Sequence, residues 1–101
     1  MFLVIWQFET DKAHAEAFEQ AYGAEGVWAQ FFRQSPGYVR TELARDCHAP
    51  GHYLTLDYWK TAQDFQTFKD SHAEAYLRLD QSFEALTKRE TKIGEFIIKR
   101  G

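Results

Sequence analysis

Two side chains in this 101-residue chain have the chemistry of a general base, and flat aromatic rings are plentiful around them. His72 lies on an apolar helical stripe, and an imidazole of unperturbed pKa about 6.5 suits proton transfer near neutrality. Asp57 lies in a strand of mostly apolar and aromatic residues. A carboxylate buried there is costly without a partner, so it could act as a second base or orient His72. Gln7, on the less aromatic face of the first strand, could donate to a substrate oxygen. Trp6, Tyr22, Trp28, Trp59, Phe68 and Tyr76 are the candidate pocket walls, because flat rings stack on flat ligands. Each also has a plain structural reading. His72 could simply sit at a helix N-terminus beside Ser71, and Asp57 could pair with Arg40 or Arg45 across the sheet. Gln7 could make a cross-strand hydrogen bond, and the rings could be core or subunit interface.

Other chemistries fit poorly. Cys47, His48 and His52 cluster in a loop, but their Cys-His-x-x-x-His spacing is unlike that of a zinc site, and His14 belongs to another element. A thiolate at a hairpin tip lacks the buried base and oxyanion donors of a nucleophilic site. Gly23 and Gly26 form no phosphate-binding GxGxxG turn after a strand. No metal or cofactor is therefore expected. The net charge of -3, with both signs interspersed, offers no footprint for nucleic acid or an anionic membrane. The apolar start MFLVIWQF has no basic flank and runs into Glu9, Thr10 and Asp11, so it reads as a strand and not a signal peptide or span. A lone cysteine excludes an internal disulfide framework and fits a reducing, cytoplasmic setting.

The elements that position these residues follow from periodicity. Residues 1–101 are expected to form one domain, long enough to bury roughly 60 to 70% of its extended-chain surface. Around residues 53 to 72 a period of two gives way to a helical one. Tyr53, Thr55, Asp57 and Trp59 fall on one face of a strand and Leu54, Leu56 and Tyr58 on the other. Both faces are largely apolar, which places this strand at the sheet centre. Thr61 and Asp64 form a capping box that opens the next helix, and a second box, Ser71 to Glu74, predicts a bend or restart near residue 70. The stripe Phe65, Phe68, His72, Tyr76, Leu79, Phe83 and Leu86 continues across it.

Earlier in the chain, Phe2 to Phe8 reads as the first strand, and Thr10 or Asp11 can cap the helix after it. Glycines 23 and 26 cost about 1 kcal/mol each in a helix interior, so GAEG is a turn before a short helix from Val27 to Gln34. Ser35, Pro36 and Gly37 stop that helix. A polar second strand, Tyr38 to Asp46, suits a sheet edge. CHAPG makes the hairpin loop, and the last strand is expected from Ile93 to Arg100. The order β-α-β-β-α-β is that of the ferredoxin-like α+β fold, an antiparallel four-stranded sheet with both helical layers on one face. Strands one and three are apolar on both faces, so a second copy is expected over the bare face, giving a homodimer.

With this order, the strand ending Asp57-Tyr58-Trp59 and the Phe65, Phe68, His72 helix after it, the chain resembles the antibiotic biosynthesis monooxygenase family of dimeric α/β barrels over about residues 2 to 99, including the Pro36-Gly37-Tyr38 entry to strand two. The resemblance implies a small-molecule pocket between sheet and helices for a flat phenolic, quinol or polyketide-like compound. It also implies oxidation without metal or flavin, in which a base turns the substrate into an anion that itself reduces dioxygen. Haem-degrading members place an asparagine on strand one and a tryptophan and histidine on the second helical region. This chain has no asparagine, and Phe68 and Arg78 stand near the other two positions, so haem degradation is rejected. The competing reading is a non-catalytic ligand-binding or stress-associated dimer on the same scaffold, and isomerases share it too.

Overall fold

The computed structural model describes residues 1–100, and its element order is the expected one. Strand β1 (Phe2–Glu9) leads through a 3-10 turn at Lys12–His14 into helix α1 (Ala15–Tyr22). Helix α2 (Val27–Phe32), strands β2 (Tyr38–Arg45) and β3 (His52–Trp59), helices α3 (Ala62–Ser71) and α4 (Ala73–Ser82), and strand β4 (Arg89–Ile97) follow. The sheet is antiparallel, in the order β2-β3-β1-β4.

Alternation decides which face is core. Phe2, Val4, Trp6 and Phe8 of β1 pair with Trp59, Asp57, Thr55 and Tyr53 of β3, so all eight side chains share the helix-covered face. Phe18 and Tyr22 of α1, Trp28 and Phe32 of α2, and Phe65 and Phe68 of α3 close over them in one aromatic core. On the other face Leu3 lies between Tyr58 and Phe96, and Ile5 between Leu56 and Gly94. Leu54 and Phe96 are 37% and 43% exposed there.

Of the two candidate caps, Thr10 and Asp11, it is Asp11 that caps the first helical turn, accepting from the His14 amide at 3.0 Å. Thr10 instead donates to the Leu86 carbonyl, tying the end of β1 to the chain ahead of β4. The Thr61 cap is formed as expected, but the second box is not. Ser71 ends α3, and the kink falls at His72, which makes no side-chain cap bond. Strand β4 begins four residues before Ile93, because the backbone groups of β1 are paired to its end whatever the polarity of residues 89–92.

Candidate functional site

A cleft of about 590 Å³, counting its mouth, opens between the sheet and the helices. Trp6 and Phe8 of β1 and Thr55 and Asp57 of β3 form its floor, with Thr41 of β2 at the side. Tyr22, Trp28, Phe32 and Tyr76 supply the aromatic walls, and Asp80 of α4 and Glu90 of β4 complete the lining.

Asp57 is the distinctive group. It is 9% exposed, and its Oδ1 accepts from the Thr41 hydroxyl at 2.6 Å. Thr41, having given its proton to that carboxylate, accepts in turn from the Tyr38 hydroxyl at 2.7 Å. Oδ2 has no hydrogen bond among the described residues, yet it is not sealed from solvent, and the residue lines the cleft. Loss of hydration on burial pushes the Asp57 carboxyl up to about 6, against the opposing pull of the Thr41 hydrogen bond. It is therefore a carboxylate at neutral pH, and far more basic than an ordinary aspartate.

A β-bulge explains why no arginine neutralises it. Tyr38 pairs with Trp59, but past the bulge Arg40 pairs with Tyr58, which brings Thr41 opposite Asp57. Without the extra residue Arg40 would stand there, as the plain reading of Asp57 supposed. The shift turns its guanidinium to the other face, 4.0 Å from the Tyr58 ring centre and 3.7 Å from Glu42. Neither Arg40 nor Arg45 forms an ion pair with Asp57.

The remaining polar groups of the cleft are neutral donors or acids. Burial pushes the Tyr22 phenol up to about 12, and burial, reinforced by Asp57, Asp80 and Glu90, lifts the Tyr76 phenol as well. Both therefore keep their protons. The Trp28 indole N–H is buried and directed at the Tyr22 hydroxyl, where it pulls the phenol down against burial while falling short of full hydrogen-bond geometry, and Thr55 makes no side-chain hydrogen bond among the described residues. Burial, with Asp80 and Glu84 nearby, raises the Glu90 carboxyl.

Of the residues singled out from sequence, Asp57, Trp6, Tyr22, Trp28 and Tyr76 meet in this cleft, and four do not. His72 lies at the junction of α3 and α4. Its ring stacks on Phe68 with centroids 4.2 Å apart, meets Phe31 edge-on, and places Nδ1 3.1 Å from the Phe68 carbonyl oxygen. Trp59 is fully buried among Phe32, Tyr38, Phe65 and Phe68, and Phe68 is core. Gln7 faces the helix-free side, where it lines a second depression together with Glu9, His52, Arg89 and Thr91. Among the described residues no three His, Cys, Asp or Glu side chains converge as a metal site, and Cys47 is exposed.

Sequence reasoning missed Phe8, Phe32, Thr41, Thr55, Asp80 and Glu90 as lining residues. Phe8 and Thr55 could have been found by alternation from Trp6 and Asp57, and Asp80 by its four-residue step from Tyr76. Thr41 and Glu90 carry no such signal, since each is placed by a bulge.

The sequence pattern of the family described as antibiotic biosynthesis monooxygenase matches residues 1–79. Among solved structures, SnoaB, a cofactor-independent oxygenase from Streptomyces nogalater, is 23% identical. The match covers 99% of this chain and 94% of that one, with a TM-score of 0.77. A candidate antibiotic biosynthesis monooxygenase from Deinococcus radiodurans is 18% identical over 100% of this chain and 95% of its own, with a TM-score of 0.75. MhuD, in a mutant form with manganese protoporphyrin IX bound, is 17% identical over 100% and 97%, with a TM-score of 0.71. At these identities the likeness is one of fold. No curated protein sequence matches the chain.

Proposed function

This chain belongs to the antibiotic biosynthesis monooxygenase family, and on that premise we propose that it oxidises a flat phenolic or quinol-type molecule with dioxygen, with Asp57 as the base. The observation that carries this reading is the Asp57 carboxylate. One oxygen is held by Thr41, the other has no protein partner in an aromatic-walled cleft, and no cationic side chain lines the site.

A substrate stacked between Trp6, Trp28 and Tyr76 would present its acidic C–H or O–H to Oδ2. Proton transfer to Asp57 leaves an electron-rich anion, which passes an electron to dioxygen and recombines with the reduced oxygen as a peroxide on substrate carbon. Loss of water from that peroxide leaves one oxygen atom in the product, and the other departs with two hydrogens taken from the substrate. The protein supplies the base, the exclusion of water and neutral donors for the developing oxyanion. Tyr22 O–H and Thr55 O–H are the groups available for that last task, with the Trp28 N–H directed at the Tyr22 oxygen. His72 has no part in this scheme, since its ring packs on Phe68 and Phe31 outside the cleft lining.

We place two copies face to face across the helix-free side of the sheet, which leaves both clefts accessible under their helices. The exposed Leu54 and Phe96 on that side support the arrangement. The test of function is oxygen consumption on a panel of quinols and anthrones. Asp57→Asn is expected to lose on the order of 10²-fold or more in rate, the usual worth of a positioned base, while His72→Ala retains activity. No uptake by the wild type above buffer, or an Asp57→Asn variant equal to it, sinks the reading. Ligand binding without uptake would favour the non-catalytic alternative.

A further inference from the structure

The cleft has an acidic mouth that no protein cation answers. Asp80 and Glu90 both line it, and neither takes part in an ion pair among the described residues. The cations around it are occupied or turned elsewhere. Lys92 pairs with Glu95, Lys88 reaches Glu9 at 4.0 Å, and Arg89 borders the depression on the helix-free side. Lys69 sits over the rings of Phe65 and Tyr76, at 5.3 and 5.6 Å, without lining the cleft.

Glu90 is there because of a specific irregularity. Strand β4 pairs Gly94 with Ile5 and then Lys92 with Trp6, skipping Ile93. In an unbroken register Glu90 would stand opposite Glu9 and point to the helix-free face. The bulge, at a glycine with φ of +159°, puts it opposite Phe8 on the cleft side. A carboxylate is thus delivered to an aromatic site that already contains two more.

We infer that the ligand of this cleft is a flat aromatic carrying a protonated amine, seated with its ring on the Trp6–Asp57 floor and its ammonium between Asp80 and Glu90, beside Tyr76. Two observations besides the acidic mouth point to a ligand of this polarity. Asp57, 9% exposed, offers an unpartnered Oδ2 into the same space. The walls are aromatic, and aromatic rings attract ammonium groups, with Lys69 already over the Tyr76 ring at 5.6 Å from outside the lining. The inference rests on the proposed reaction for one further reason. Proton removal by Asp57 makes a substrate anion among carboxylates, and with no protein cation in the lining the substrate's own ammonium is the available counter-charge.

The test uses three hydroxynaphthalenes that differ only in an aminomethyl, hydroxymethyl or carboxymethyl substituent, titrated by calorimetry and tryptophan fluorescence at low and high salt. The aminomethyl compound should bind about tenfold tighter than the hydroxymethyl one, and the carboxymethyl compound most weakly of all. In the Asp80→Asn/Glu90→Gln double variant the ammonium preference should disappear, with urea midpoints showing that the fold is intact. Equal affinity of the first two compounds, a preference that survives in the double variant, or no binding by any of the three overturns the inference. Oxygen uptake recorded on the same mixtures separates the two readings. An ammonium preference without uptake removes only the oxygenase, whereas uptake with a preference for the neutral compound removes only the ammonium site.

Discussion

Replacing Asp57 with asparagine should make the protein more stable at neutral pH while it loses the proposed reaction. The substitution keeps the size of the side chain and an oxygen for the Thr41 hydroxyl to reach, and removes the buried charge. In the wild type the carboxyl moves from 3.8 in the unfolded chain to about 6 in the folded one, because burial disfavours its ionised form. Between those values the native state holds a proton that the unfolded state has released, so stability falls as pH rises. At about 1.4 kcal/mol per pH unit the gap amounts to about 3 kcal/mol, fully retained below pH 3.8 and gone above about pH 6. Asparagine has no such dependence. The stability of Asp57→Asn relative to wild type should therefore grow by about 2 to 3 kcal/mol from about pH 4 to pH 7 and stay level beyond. Urea unfolding at fixed protein concentration reads this as a midpoint difference that widens by about 1 to 2 M. A difference that does not change with pH would mean that the carboxyl is not desolvated as placed. A difference that shrinks as pH rises would mean that a cation or further donors compensate it, and the case for an unsatisfied base would go with it.

Other consequences follow from the same geometry. Thr41→Val keeps the strand-forming shape but removes the donor to Oδ1, so the Asp57 carboxyl should titrate about 1 to 2 units higher, as followed by carbon NMR of the labelled carboxyl; an unchanged or lower value refutes the role given to Thr41. Trp59→Ala should cost about 3 to 5 kcal/mol in urea unfolding, since the indole is fully buried against four aromatic rings; a loss under about 1 kcal/mol would contradict that packing. Phe96→Asp puts a charge on the helix-free face and should convert a dimer to a monomer in light scattering at micromolar concentration, whereas a wild type that is already monomeric removes the proposed interface.

Alternation alone grouped Phe2, Val4, Trp6 and Phe8 on one face of their strand and Tyr53, Thr55, Asp57 and Trp59 on one face of theirs, with Asp57 isolated among apolar neighbours. With both faces apolar it did not tell which one the helices cover, and Gln7 was expected in the pocket with Trp6 although the two lie on opposite faces. The element order was legible as well, since a Thr61 cap and the stops at Ser35 to Gly37 act within a few residues of sequence. His72 shows where such reasoning runs out. Its spacing fits one continuous stripe, but the helix breaks at that residue, and the ring stacks on Phe68 one turn back instead of joining the cleft. The bulges show it most clearly. A single unpaired residue in β2 sets Thr41 and not Arg40 beside Asp57, and another in β4 turns Glu90 inward. Local patterning specifies which residues share a face, because side-chain direction repeats every two residues along a strand. Register between strands is settled by backbone pairing with a distant segment, and a slip of one residue reverses every side chain beyond it. The sequence therefore announced the aromatic floor and its lone carboxylate, and tertiary pairing decided that this carboxylate would face the cleft without a counter-ion.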